Sequence, residues 1–127
     1  MPLLHILLVA LGGALGSVAR YMVGVGAGRL FGADFPWGTM IVNIAGSFIM
    51  GVFIELLGLK FDGSTELRLF VAVGILGGFT TLSSFSLDTI TLFERGATIA
   101  AASYAVGSIV LSLAALVAGL QLVRAFA

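Results

Sequence analysis

The chain has 127 residues, of which 60% are hydrophobic and only 9% charged, with a mean hydropathy of +1.21. That is too few charges to cover a water-soluble domain of this size. A formal net charge of zero argues against nucleic acid as a partner, and the lack of cysteine removes disulfides, thiolate nucleophiles and zinc knuckles.

A bilayer core of ~30 Å requires about 20 apolar residues in helix, and four segments meet that length. The first runs from about Leu3 to Gly28, with Arg20 its only charge beyond His5. The start, Met1-Pro2-Leu3-Leu4-His5, lacks a basic n-region, so this segment reads as part of the mature protein and not as a cleaved signal. His5 reads as an interfacial residue, not a ligand. The second segment, Phe35 to Ile54, is closed by Glu55 and carries Asn43 at mid-span. Leu69 to Leu87 forms the third, 19 residues without a charge between Arg68 and Asp88, with a helix continuing towards Glu94. The fourth, Ala97 to Val123, has 27 uncharged residues and ends at Arg124. Short connections leave no room for a soluble domain, so residues 1–127 read as one all-α integral membrane domain of four transmembrane helices.

The third segment contains the most telling stretch, Gly77-Gly78-Phe79-Thr80-Thr81-Leu82-Ser83-Ser84-Phe85-Ser86. Two glycines weaken the helix, and five hydroxyls can re-satisfy freed amides and carbonyls, which lipid cannot do. A helix broken mid-membrane is the reading, its carbonyls forming a hard-oxygen site suited to a small cation such as Na⁺. The competing reading keeps the helix intact, each Ser or Thr bonding back to its own i−4 carbonyl.

Tyr104, Ser108 and Ser112 recur every four residues on the fourth segment and stack O–H groups along one face. Such a ladder can pass a dehydrated anion by successive hydrogen-bond donation; small residues at this spacing equally serve helix packing. The Asn43 amide can donate to an anion or tie helices together. Phe79 and Phe85 present ring edges with partial positive character, or pack. Arg20, a cation inside a span, suits an anion-attracting vestibule or an interface. Pairs at small-xxx-small spacing, Gly12/Gly16, Gly24/Gly28 and Gly74/Gly78, predict close helix approach and an oligomer.

With both termini on one side, Lys60, Arg68 and Arg124 flank that side, and Arg20, Arg29 and Arg95 the other. Orientation follows Lys/Arg asymmetry, and this tally is even. A dual-topology protein pairing head to tail is implied; the alternative is a small bias hidden at the span boundaries. No carboxylate lies near a span centre, which favours passive conduction over a proton-coupled exporter of the small multidrug type, itself sometimes dual in topology. No nucleophile–base pair is apparent, so the chain does not read as an enzyme. A non-transporting assembly subunit is the third class.

The pattern resembles the fluoride-channel family known as Fluc or CrcB over nearly the whole chain. The resemblance rests on Gly16 and Arg20, Pro36-Trp37-Gly38-Thr39 leading to Asn43, the stretch Gly77 to Ser86, Glu94-Arg95-Gly96, and Tyr104 with Ser108 and Ser112. It implies an antiparallel dual-topology homodimer in a bacterial cytoplasmic (inner) membrane, with two fluoride pores at its interface. It also implies a structural Na⁺ at the dimer centre, held by backbone carbonyls at Gly77 and Thr80. Asn43, Phe85, Tyr104, Ser108 and Ser112 would line the pores, with Ser83 and Ser84 nearby and Arg20 at the vestibule. Leu82 stands where the family usually carries a second pore phenylalanine, so half of that aromatic contact is missing here.

Overall fold

The computed structural model describes residues 2–127; Met1, the first residue of the N-terminal stretch read above, lies outside them. Helix α1 spans Leu3–Phe31 and α2 spans Trp37–Lys60. The third membrane segment is composite: α3 (Thr65–Arg68), a π-helical run (Leu69–Leu76), α4 (Gly77–Phe79) and α5 (Leu82–Glu94). Helix α6, Thr98–Phe126, completes the chain. All of the regular structure described is helical, and four segments are long and apolar enough to cross a membrane, the third being Thr65–Glu94.

Local chemistry sets the ends. Gly32 closes α1 at φ 80°, a left-handed conformation that costs glycine little, and its N–H reaches the Gly28 carbonyl at 3.0 Å. Pro36 precedes α2, where its fixed φ and missing N–H do no harm. Ser64 caps α3 by accepting from the Leu67 N–H at 3.3 Å. Gly96, at φ 83°, turns the chain from α5 into α6. At 29 residues each, α1 and α6 are about 44 Å long and overreach the hydrocarbon core.

Polar contacts at the two rims agree with four antiparallel spans. His5 Nε2 lies 3.7 Å from Glu66 Oε1, and Arg124 is paired with Glu55 at 3.1 Å, all at one end. At the other, the Arg95 guanidinium donates to the Asp34 carbonyl at 2.7 Å. The start of α1 and the end of α6 therefore lie on the same side.

The third segment changes partners along its length. Its π-helical part and α4 lie against α1, whereas α5 lies against α6; α2 and α6 form the most extensive helix pair. Close approach relies on glycine. A Cβ on Gly12 would sit 2.9 Å from the Gly74 Cα, and one on Gly78 would sit 2.7 Å from the Gly13 carbonyl. Two of the three small-residue pairs thus pack as their spacing predicts. Gly28 does not, having open space beside it, and Gly24 instead faces Gly38. The tightest seam of α2 with α6 uses Gly51 and Gly119, neither of which has a second glycine four residues away.

One expectation about the third segment changes, and one feature is new. Gly77 and Gly78 remain helical, with Gly78 serving the α1 contact; the helix breaks at Thr80 and Thr81, which are extended (φ −87°, ψ 160° and φ −155°, ψ 121°). The run Leu69–Leu76 is π-helical, the Gly77 N–H reaching back five residues to the Ala72 carbonyl as well as to that of Gly74. Wide turns of this kind recur near functional sites.

Candidate functional site

A helix interrupted in lipid leaves orphan carbonyls on one side of the gap and orphan amides on the other. Here both sides are served by named groups. Thr80 N–H and Oγ1 both donate to the Leu76 carbonyl, at 3.0 and 2.9 Å. Arg20 Nε donates to the Gly78 carbonyl at 3.0 Å. Thr81 is the N-cap of α5: its Oγ1 accepts from the Ser84 N–H at 3.2 Å and also donates to Ser84 Oγ at 3.2 Å. From α2, Asn43 accepts the Thr81 N–H on Oδ1 at 2.8 Å and donates from Nδ2 to the Thr81 carbonyl at 3.0 Å.

These substitutions free two carbonyls. In a continuous helix the Gly77 carbonyl would take the Thr81 N–H and the Thr80 carbonyl the Ser84 N–H. Asn43 and Thr81 Oγ1 intercept those donors. Gly77 is moreover exposed on the surface of the single chain.

Beside the break lies a cavity of about 390 Å³ between α2, α5 and α6. Asn43, Leu82, Phe85, Ser108 and Ser112 border it together with the backbone step Thr80–Thr81. Ser108 is 3% exposed, and its hydroxyl, at mid-span, has no hydrogen-bond partner among the described residues. A buried orphan hydroxyl is costly unless something transient occupies it. Helix α5 starts at the same place, with Thr81 and Leu82 bordering this space, so its positive end lies beside it. Leu82, 76% exposed, forms the open rim.

Other expected site residues lie elsewhere. Tyr104 is fully buried with Leu92 and Ala101, and its O–H donates to Asp88 Oδ2 at 3.2 Å. It stands one helical turn above the cavity and borders it only through Phe85, whose ring centroid is 5.3 Å away. Ser84 and Arg20 border a second cavity of about 340 Å³, with Tyr21, Thr39 and Val42. Ser83 lies at the exposed surface, its Oγ 3.4 Å from Thr81 Oγ1. Phe79 packs towards Gly46 on α2 and borders neither cavity. Both readings of the hydroxyls are realised: Ser86 bonds back to its i−4 carbonyl, as does Thr89 further along, whereas Thr81 caps the broken end.

Sequence reasoning missed Ser47 and underused Thr81. Thr81 borders both cavities, and Ser47 borders the first. Ser47 follows Asn43 by four residues, so the spacing rule that singled out the α6 ladder would have found it on α2.

The family model described as CrcB-like protein, Camphor Resistance (CrcB), matches residues 7–120 of this chain. The chain belongs to the CrcB family. Its relatives agree in length as well as sequence. A protein of Rhizobium johnstonii named fluoride-specific ion channel FluC is 56% identical over 125 residues, covering 98% of this chain and all of the relative. The homologue of the same name from Agrobacterium fabrum is 56% identical, covering 96% of this chain and 98% of its own. That of Nitrobacter winogradskyi is 54% identical over 94% of both chains. This CrcB protein is thus an integral membrane protein whose break, ladder and capping residues all fall within the matched region.

Proposed function

We propose that this chain forms a passive, fluoride-selective channel in a bacterial cytoplasmic membrane, working as an antiparallel homodimer. The observation that carries this reading is the unpartnered, buried Ser108 hydroxyl bordering a cavity shared with Asn43 and the first turn of α5. All three supply neutral or partial-charge donors. Fluoride holds water strongly, so a dry path must replace that shell with short hydrogen bonds. A fixed guanidinium in the same space would hold the ion too long for conduction, and Arg20 instead spends its Nε on the Gly78 carbonyl. The names of relatives more than 50% identical support fluoride as the ion.

A partner copy is supported by what a lone chain would present to lipid. Gly77, Leu82, Ser83 and Ser86 are exposed near the middle of the third segment, a costly place for polar surface facing hydrocarbon. A second copy in the opposite orientation, which the even Lys/Arg tally permits, would cover it. The break also fits a Na⁺: carbonyls are the ligands this hard cation prefers, and those of Gly77 and Thr80 have lost their helix donors. Both residues of both subunits would hold the ion, which would supply fixed positive charge at the dimer centre. No catalytic role is proposed.

A membrane potential adds about 2.3 kcal/mol per 100 mV for an anion leaving a negative interior, so efflux needs neither ATP nor a proton. The proton-coupled exporter finds no support here, since α1 contains no Asp or Glu. Purified protein in fluoride-loaded liposomes should release fluoride electrogenically, upon addition of a K⁺ ionophore, with chloride release at least about 100-fold slower, the ratio of ~2.7 kcal/mol in barrier. Equal rates for the two anions would reject the proposal.

A further inference from the structure

Asn43 spends its side chain on a single peptide unit. Oδ1 takes the Thr81 N–H and Nδ2 holds the Thr81 carbonyl, so one amide N–H is left for the cavity that Asn43 borders. The backbone ladder, after its π-helical run, returns to a four-residue step at Thr80, whose N–H still reaches Leu76. It stops at the residue where Asn43 takes over. Among the described side chains, no other reaches the Thr81 N–H. Without that acceptor, an amide in a dry setting would return to its nearest free oxygen, the Gly77 carbonyl four residues back.

We infer that Asn43 is a positioning residue for the cation site: by capturing the Thr81 N–H it frees the Gly77 carbonyl, and by holding the Thr80–Thr81 step extended it keeps the Thr80 carbonyl, whose own donor Thr81 Oγ1 takes, from returning to a resealed helix, so that both stay available to Na⁺. This role rests on the Na⁺ reading given above and is separate from hydrogen bonding to fluoride. It also separates the two halves of the side chain. Oδ1 frees the carbonyl, and Nδ2 only steadies the loop. Asn43→Leu removes both halves at similar volume, whereas Asn43→Asp keeps the acceptor.

Thr80–Thr81 is the sole Thr-Thr step in the sequence. Threonine labelled with ¹³C at the carbonyl and ¹⁵N at the amide therefore isolates one resonance pair, the Thr80 carbonyl with the Thr81 amide. Full-length protein in bilayers is compared after purification and reconstitution throughout in Na⁺ or in K⁺. In the wild type the carbonyl resonance should shift between the two cations. Asn43→Leu should abolish that shift and move the Thr81 amide, while Asn43→Asp retains the shift, with both variants eluting as the wild-type dimer. A variant Asn43→Leu that keeps the full Na⁺-dependent shift would overturn the role of Asn43 alone. A wild-type resonance indifferent to Na⁺ would remove the cation itself, and this role with it. Should Asn43→Leu fail to assemble, loss of the shift in Asn43→Asp would equally overturn the inference.

Discussion

Gly51→Ala should destabilise the protein by about 3 kcal/mol, near the top of the range for overpacking. The added Cβ would overlap the Leu116 carbonyl oxygen and lie 3.1 Å from both the Leu116 carbonyl carbon and the Leu120 nitrogen. All three are backbone atoms of α6, so no side-chain rotation can make room. The reciprocal position is equally tight, because a Cβ on Gly119 would overlap the Phe48 carbonyl oxygen. Since this seam joins the two helices that pack most extensively, the effect reaches the cavity between them. Unfolding by titration with sodium dodecyl sulfate, followed by circular dichroism, measures it. Gly58→Ala on the same helix, where nothing lies within 4 Å, should stay within about 0.5 kcal/mol of the parent. Equal stability of the two variants would show that α2 and α6 are not this close.

Ser108→Ala should uncouple stability from transport. Its hydroxyl is buried and makes no hydrogen bond among the described residues, so removing it relieves an unsatisfied polar group and should leave the protein as stable as before, or more so. A hydrogen bond to a charged group is worth about 1.5–3 kcal/mol, and fluoride would lose one at mid-pore. Flux should therefore fall by roughly 10- to 150-fold, at about 1.4 kcal/mol per factor of ten. Liposome efflux and detergent unfolding on the same preparation decide the matter. Reduced flux with lowered stability would indicate an ordinary packing role. Phe85→Ala offers no such separation: its ring both borders the cavity and packs on Tyr104, so both readouts should drop.

The sequence made some of this legible and hid the rest, for physical reasons. Four spans followed from long apolar runs with at most one firm charge, because bilayer thickness is a demanding length filter. That the third is interrupted followed from its hydroxyls, which have little use in a lipid-facing helix. Where it is interrupted did not. Glycine weakens a helix and also admits a neighbour, and at Gly78 the second use prevails, because Gly13 and Ser17 of α1 lie against it. The π-helical run left no trace, since Leu69-Phe70-Val71-Ala72-Val73-Gly74-Ile75-Leu76 is apolar throughout and a shift of donors by one residue has no side-chain signature. Ser108 and Ser112 border the cavity as their spacing implied, whereas Tyr104, on the same face, turns its O–H to Asp88. That pairing joins residues 16 apart across a turn, a relation outside the reach of single-helix periodicity.

The change of partners along the third segment bears on how the protein is made. Its second half, whose Asp88 accepts from Tyr104, rests on α6, a helix that leaves the ribosome after it. During synthesis this half must wait at the translocon or in the bilayer with its carboxylate unpaired, which is unfavourable in hydrocarbon. A nascent chain arrested before Thr98 should then be cleared by quality-control proteases much faster than one arrested after Phe126, as pulse-chase turnover of the two products would reveal. Similar lifetimes would mean that the partly built protein finds shelter without α6.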